Sequence, residues 1–322
     1  MKIYLTEIIL SFFLTVLMGV FFIPILKKLK AGQPILKYVE AHKSKSGTPT
    51  MGGLLFIIPS VIVCLVFNGV GDKLSIVSVT LGISFMFVGF LDDFIKIKYR
   101  QNEGLKPYQK IIFQLVIAFF AGFFSYRNGI TTFYVPFTKT TVDLGFFAIP
   151  FISLIFISIT NCVNLTDGLD GLASFTAIPY FIALAIIISL QTSVYGTGGY
   201  DGLISLCLCL SGGLIGFLVF NVNKAKIFMG DTGSLSIGGF IGALSIFSSN
   251  GFFIPVIGIM FVLSGISVIV QVMWFKKTGK RVFLMAPLHH HFQLKGMTET
   301  QISYIYAVIT GFVGLICVIF LL

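Results

Sequence analysis

The sequence predicts an all-α integral membrane protein of about ten transmembrane helices, and three observations carry that reading. Of 322 residues, 56% are hydrophobic and only 11% are charged, whereas a water-facing globular chain carries about 25% charged residues. Mean hydropathy is +1.00. The apolar residues also gather into ten runs, many of them close to the roughly 20 residues that a bilayer-crossing helix needs. These features exclude an ordinary soluble enzyme, a disulfide-framed secreted domain and a disordered chain.

The first run, 5–26, ends at Pro24 and Lys27-Lys28 without a small-residue cleavage pattern, so it reads as a retained span and not a removable signal. The second and third are 52–69 and 74–91, and the fourth, 111–125, is short. Between the fourth and fifth runs, 130–137 and 140–146 are β-prone and predict a small external hairpin with a structural role. The fifth, sixth and seventh runs are 144–162, 171–190 and 202–220, and 234–248 is again short. Gly212/Gly216 and Gly238/Gly242 place small residues four apart, a spacing that lets packed helices approach closely. The ninth run, 251–275, is long, contains Pro255 and Gln271, and ends with Trp274 before Lys276-Lys277. Tilting or a break near its inner end is expected. The tenth is 301–322. The five cysteines lie in or at the ends of these runs and read as small buried residues. With no separate soluble domain or linker, residues 1–322 read as a single polytopic unit.

Basic residues orient the chain. Eighteen Lys and Arg fall in the odd-numbered loops and four on the other side. By the positive-inside rule the odd loops are cytoplasmic, and with ten spans both termini are external. The net charge of +10 therefore sets topology and attracts anionic headgroups or substrates; nucleic acid is not an expected partner.

Ionisable groups at membrane helix ends are costly and are functional candidates by default. Asp92 and Asp93, adjacent at the end of the third run, repel each other and need a cation: Lys96 nearby, or a divalent metal. In 161–173, Asp167 and Asp170 lie three apart, which on a helix puts both on one face with Asn164 close by. In 220–234, Gly230, Thr232, Gly233 and Ser234 open a helix whose amino end suits a phosphate. There Asp231 can hold Mg²⁺ and Phe228 can stack on a base. The first loop, with Lys45 and Thr50 among glycines, forms an anion cradle. His289, His290 and His291 point in different directions, so they suit hydrogen bonds to a phosphate or sugar better than one metal cage. All these phrases fall on the face assigned as cytoplasmic. Acids for a metal, cations and amides for phosphates and an aromatic for a base form the set that phosphoryl transfer between a cytosolic donor and a lipid requires.

The Asp92-Asp93 pair, residues 164–173, residues 221–234 and the histidine run resemble the polyprenyl-phosphate N-acetylhexosamine-1-phosphate transferases. Within that superfamily, Gly47-Thr-Pro-Thr-Met-Gly-Gly53 and Ala286-Pro-Leu-His-His-His-Phe292 are similar to the phospho-N-acetylmuramoyl-pentapeptide transferases, with Gln293 where a Glu is common. The resemblance covers nearly the whole chain. It implies a homodimer in the bacterial cytoplasmic membrane, Mg²⁺ dependence, and transfer of phospho-MurNAc-pentapeptide from its UDP form to undecaprenyl phosphate. The products are lipid I, for peptidoglycan, and UMP. It further implies that Asp92, Asp93 and Asp231 are the essential acids, with Asp231 a metal ligand. Lys45, Thr50, Asn164, Asp167, Asp170, Asn221, Phe228 and Ser234 would line the nucleotide and sugar region, and the three histidines the donor's phosphate or sugar end. Two schemes are open: direct attack of the lipid phosphate on the donor's β-phosphate, or prior formation of a covalent aspartyl-linked phosphosugar. Because a phosphate monoester is largely dianionic at neutral pH, with a second pKa of about 6, direct attack is favoured, with lysines and Mg²⁺ neutralising charge and Asp92 positioning or deprotonating the acceptor. Two alternatives have other outcomes: a UDP-GlcNAc-using transferase for teichoic acid or O-antigen, and an anionic lipid-sugar transporter. The transporter is disfavoured because the polar phrases gather at one face without an internal repeat.

Overall fold

Each of the ten apolar runs folds as α-helix, as lipid demands, because a spanning segment must satisfy its own backbone N–H and C=O groups. The computed structural model describes residues 2–28, 47–69, 71–99, 101, 103–195, 199–222 and 224–322. In chain order the first helices are α1 (Lys2–Lys28), α2 (Gly53–Asn68), α3 (Lys73–Tyr99) and α4 (Pro107–Arg127). A hairpin of β1 (Thr132–Tyr134) and β2 (Thr141–Asp143) follows. Then come α5 (Ala148–Thr166), α6 (Leu172–Tyr195), α7 (Asp201–Asn221) and α8 (Gly230–Phe247). The chain closes with α9 (Ile254–Ile257), α10 (Ile259–Thr278), α11 (Leu288–Leu294) and α12 (Glu299–Ile319).

Among the described residues eight helices are long and apolar enough to cross a membrane: α1, α3, α4, α5 with the turn before it, α6, α7, α10 and α12. The two remaining runs are also helical. α2 has only 16 residues. α8 begins Gly-Asp-Thr-Gly-Ser and is rich in glycine and serine, yet every residue from Thr232 to Phe247 is buried. It faces protein on all sides, so close packing replaces apolarity toward lipid. The short run 111–125 extends to a full helix because Pro107 starts it, with Gln109 Oε1 accepting the Lys106 N–H at 3.0 Å.

One expectation is corrected. The ninth run breaks at Gly258, which ends α9 and begins α10, three residues after Pro255. The break is therefore at the opposite end of the run from Lys276-Lys277, at a glycine whose backbone (φ −81°, ψ 22°) departs from the helix. The hairpin forms as expected, antiparallel with Phe133 opposite Val142. It is pinned to the turn after α8 by the Tyr134 N–H donating to Ser249 O at 2.9 Å.

Connectivity sorts the chemistry to one end. α1, α3, α5, α7 and α10 finish, and α2, α4, α6, α8 and α12 begin, at the end of the bundle opposite the hairpin. α8 is the axis, packed on α3 and α5 with α2 against its start. The Phe85 and Phe156 rings stack at 5.7 Å beside it. Contact is close enough to require glycine. A Cβ on Gly53 would meet the Gly233 backbone, one on Gly238 the Thr160 backbone, and one on Gly89 the Asp231 carbonyl.

Gly89→Val should therefore push α3 from α8 and lower stability by about 1–3 kcal/mol, the usual cost of overpacking. Gly71→Val, at a position with nothing within 4 Å, should leave the thermal midpoint in detergent unchanged. Equal midpoints for both variants would show that the α3–α8 approach tolerates a side chain.

Candidate active site

The site assembles where α3 ends and α8 begins. On α3, Lys96 stands one turn beyond Asp92, so the helix itself pairs them, Nζ to Oδ2 at 2.6 Å. Asp92 is buried, and its Oδ1 accepts the Leu105 N–H at 2.8 Å. Residues 103–106 can close over it because residue 104 is glycine: a Cβ there would run into the carboxylate. Asp93 is fully buried and caps α8, its Oδ2 accepting from Thr232 N–H at 3.0 Å and Oγ1 at 2.7 Å. The amino end of α8, expected to receive a phosphate, is thus occupied by a carboxylate of this chain.

Asp231 gathers the rest. Its Oδ2 accepts from Lys110 at 2.7 Å and Lys96 at 3.3 Å, and its Oδ1 from Asn164 Nδ2 at 2.8 Å. Asn164 also donates to Ser234 Oγ at 2.9 Å, which ties α5 to α8. One ligand oxygen from each of Asp92, Asp93 and Asp231 lies within 4.8 Å of the other two. Three carboxylates against two ammonium groups leave negative charge uncompensated. Asp93 Oδ1 and Thr50 Oγ1 are buried with no hydrogen-bond partner among the described residues. An all-oxygen, acid-rich donor set whose Asp93 Oδ1 has only a long ion pair, 3.9 Å from Lys96 Nζ, fits a hard divalent cation such as Mg²⁺. Asp231, with Asp93 beside it, could hold such an ion.

The turn after α5 corrects a second expectation. Asp167 and Asp170 do not share a helical face, because α5 ends at Thr166 and Gly171 adopts φ +75°. Asp170 turns away to accept the Ala225 N–H at 3.0 Å, holding the α7–α8 loop. Asn221 does similar work: its Oδ1 accepts the Gly171 N–H at 3.0 Å and its Nδ2 donates to Ile227 O at 2.9 Å. Asp167 stays partly exposed beside the cluster. Loss of water, then the charges of Asp231, Asp93 and Asp170, push its carboxyl well above the usual range.

The histidines separate as expected. His289 is fully buried against Gly168, with neither ring nitrogen hydrogen-bonded among the described residues. Burial, then His290, brings its pKa down to about 3, so the imidazole is neutral. His290 Nδ1 meets Gln293 Oε1 at 3.1 Å, and His291 Nδ1 accepts the Leu284 N–H at 3.1 Å. Phe228 is half-buried, and its backbone pairs with the first-loop glycines, Phe228 N–H to Pro49 O and Gly52 N–H to Phe228 O. Residues 49–52 thus pin the start of α8. Lys45 lies outside the described residues.

Lys110 is not legible in the sequence as a site residue. Lys110 read only as a topology-setting charge, and its partner Asp231 is 121 positions away. Thr232 is legible as one of the small residues that open α8, but nothing local shows that its N–H and hydroxyl both meet Asp93.

A membrane-spanning helical bundle with clustered acids and lysines at one end suits a membrane-embedded transferase, and the family model for glycosyl transferase family 4 matches residues 75–249. The phospho-N-acetylmuramoyl-pentapeptide-transferase signature 1 matches residues 45–57. A phospho-N-acetylmuramoyl-pentapeptide-transferase of Clostridium novyi (strain NT) is 41% identical, with 98% of each chain covered. One of Thermoanaerobacter sp. (strain X514) is 42% identical over 96% of this chain and 95% of its own. One of Clostridium botulinum (strain Alaska E43 / Type E3) is 40% identical over 97% and 96%. The chain belongs to the phospho-N-acetylmuramoyl-pentapeptide-transferase family and is a multi-pass bacterial membrane protein.

The Asp167 shift has a signed consequence. An acid whose folded pKa is raised binds more protons folded than unfolded, so stability falls as pH climbs above its ordinary pKa near 3.8. Asp167→Asn should raise the thermal midpoint of the ligand-free protein at pH 8, by less at pH 5. An equal or reversed difference across that range would remove the desolvation argument.

Proposed function

We propose that the chain transfers phospho-MurNAc-pentapeptide from UDP-MurNAc-pentapeptide to undecaprenyl phosphate, giving lipid I and UMP for peptidoglycan synthesis. The observation that carries this reading is the convergence of Asp92, Asp93 and Asp231 with Lys96 and Lys110 at one end of the bundle. The names of the near-full-length relatives supply the transferred group, phospho-N-acetylmuramoyl-pentapeptide. The proposal includes Mg²⁺ dependence, a homodimer and a site facing the cytoplasm.

The acceptor phosphate needs little deprotonation, so the chain's task is to gather three highly charged species and hold them in line. Lys96 and Lys110 supply mobile ammonium groups that can exchange a carboxylate for a phosphate oxygen. Asp92 is engaged by Lys96 and the Leu105 N–H, which suits it to position Lys96 and the 103–106 loop. Asp93, whose Oδ1 accepts no hydrogen bond among the described residues, and Asp231 would hold Mg²⁺, which when bound neutralises charge on the donor diphosphate. Asn164 and Ser234 orient Asp231. Asp167 and neutral His289, adjoining across Gly168, border the region where the donor's sugar or nucleotide would lie. Asn221 and Asp170 serve as loop anchors and shape that region indirectly.

Purified protein in detergent should release UMP from UDP-MurNAc-pentapeptide only with both undecaprenyl phosphate and Mg²⁺ present. Release from UDP-GlcNAc in its place would move the chain to another branch of the superfamily, and isolation of an aspartyl-linked phosphosugar would replace direct attack by a two-step route. Lys110→Met should lower kcat/KM by roughly tenfold to a hundredfold, the scale of one charge-assisted contact of about 1.5–3 kcal/mol. Unchanged kinetics would return Lys110 to a topology-setting role.

Orientation is tested separately. A cysteine at Tyr108, which is exposed, should react with an impermeant thiol reagent only from the cytoplasmic side of inverted vesicles. Labelling from outside intact cells would place the site on the other membrane face.

A further inference from the structure

The carboxyl end of α10 leaves the bundle. From Ile269 to Thr278 no residue is buried, and Met273, Trp274 and Phe275 are half-exposed or more. From Ile269 to Phe275 this helix is apolar apart from Gln271, and the bundle does not cover it, so it faces lipid. Lys276, Lys277, Lys280 and Arg281 follow within six residues, and no acidic residue occurs between Asp231 and Glu299. Unlike Lys96 and Lys110, these four make no ion pair among the described residues.

The chain then folds back as a strap toward α11. Gln271 Oε1 accepts the Val282 and Phe283 N–H groups at 3.1 and 2.9 Å, and Arg281 Nη1 donates to Leu284 O at 3.2 Å. Val282 and Leu284 are exposed on it. The strap therefore holds unpaired cations and apolar side chains together at the level of Trp274, the residue type that settles at the bilayer interface.

We propose that this helix end and strap form a docking surface for the anionic phospholipid headgroups of the surrounding bilayer. Charge complementarity selects that occupant. Juxtamembrane cations without acidic partners attract anionic lipid, and the exposed apolar residues fix them at headgroup depth. The surface connects to the active site, because the Leu284 N–H donates to His291 and the Leu288 N–H to Ser267 Oγ at 3.0 Å.

Trp274 is the only tryptophan, so its fluorescence reports the local lipid. In phosphatidylcholine bilayers carrying equal mole fractions of brominated lipid, brominated phosphatidylglycerol should quench Trp274 about twofold more than brominated phosphatidylcholine. High salt should erase the difference. A variant with Lys276→Gln, Lys277→Gln and Lys280→Gln should lose the preference while keeping its activity in detergent, and the corresponding Arg replacements should retain it. Equal quenching by both lipids in the unaltered protein would overturn the proposal and leave these lysines as topology determinants. So would loss of the preference on adding inorganic phosphate at constant ionic strength, which would assign the surface to a soluble anion. None of these readings depends on which sugar the enzyme transfers.

Discussion

Holding three carboxylates within a few ångströms of one another at the end of a membrane bundle is the constraint on which the rest of this structure depends. Unscreened, such a cluster would repel itself and resist removal from water. Every neighbour answers that problem. Lys96 and Lys110 supply charge, Thr232 and Leu105 supply backbone N–H groups, and Asn164 supplies an amide. What stays unanswered, the surplus negative charge and the Asp93 oxygen without a hydrogen bond among the described residues, is what suits the cluster to a cation and to phosphorylated substrates.

The compensation works only if α3, α4, α5 and α8 meet at a fixed height, which explains the glycines along α8 and its partners. Gly89 lets the α3 backbone reach the Asp231 carbonyl, and Gly53 brings α2 against Gly233. Helices without side chains at their contacts approach closely, and in lipid this packing substitutes for the hydrophobic effect that drives association in water. The central helix is accordingly the least lipid-like of the ten, and the most buried.

The basic residues divide into two functional groups by the same logic. Those inside the bundle face carboxylates and are available to exchange them for phosphate. Those at the bare end of α10 face no acid and look outward to the bilayer. Composition gives both groups one sign and one count, and only burial and partners tell them apart.

The sequence by itself determined the membrane class, the ten helical runs, the hairpin between the fourth and fifth, and the motifs that hold the acids. Hydropathy, turn chemistry and short motifs are local, and lipid leaves a spanning segment little choice but helix. Lys96 beside Asp92 was legible for the same reason, since one helical turn pairs them. Tertiary structure alone decided the rest. It spent the amino end of α8 on Asp93, turned Asp170 away from Asp167 at Gly171, moved the ninth-run break to Gly258, and brought Lys110 to Asp231. Each depends on which helix packs beside which and at what height, and that is fixed by contacts between residues far apart in the chain.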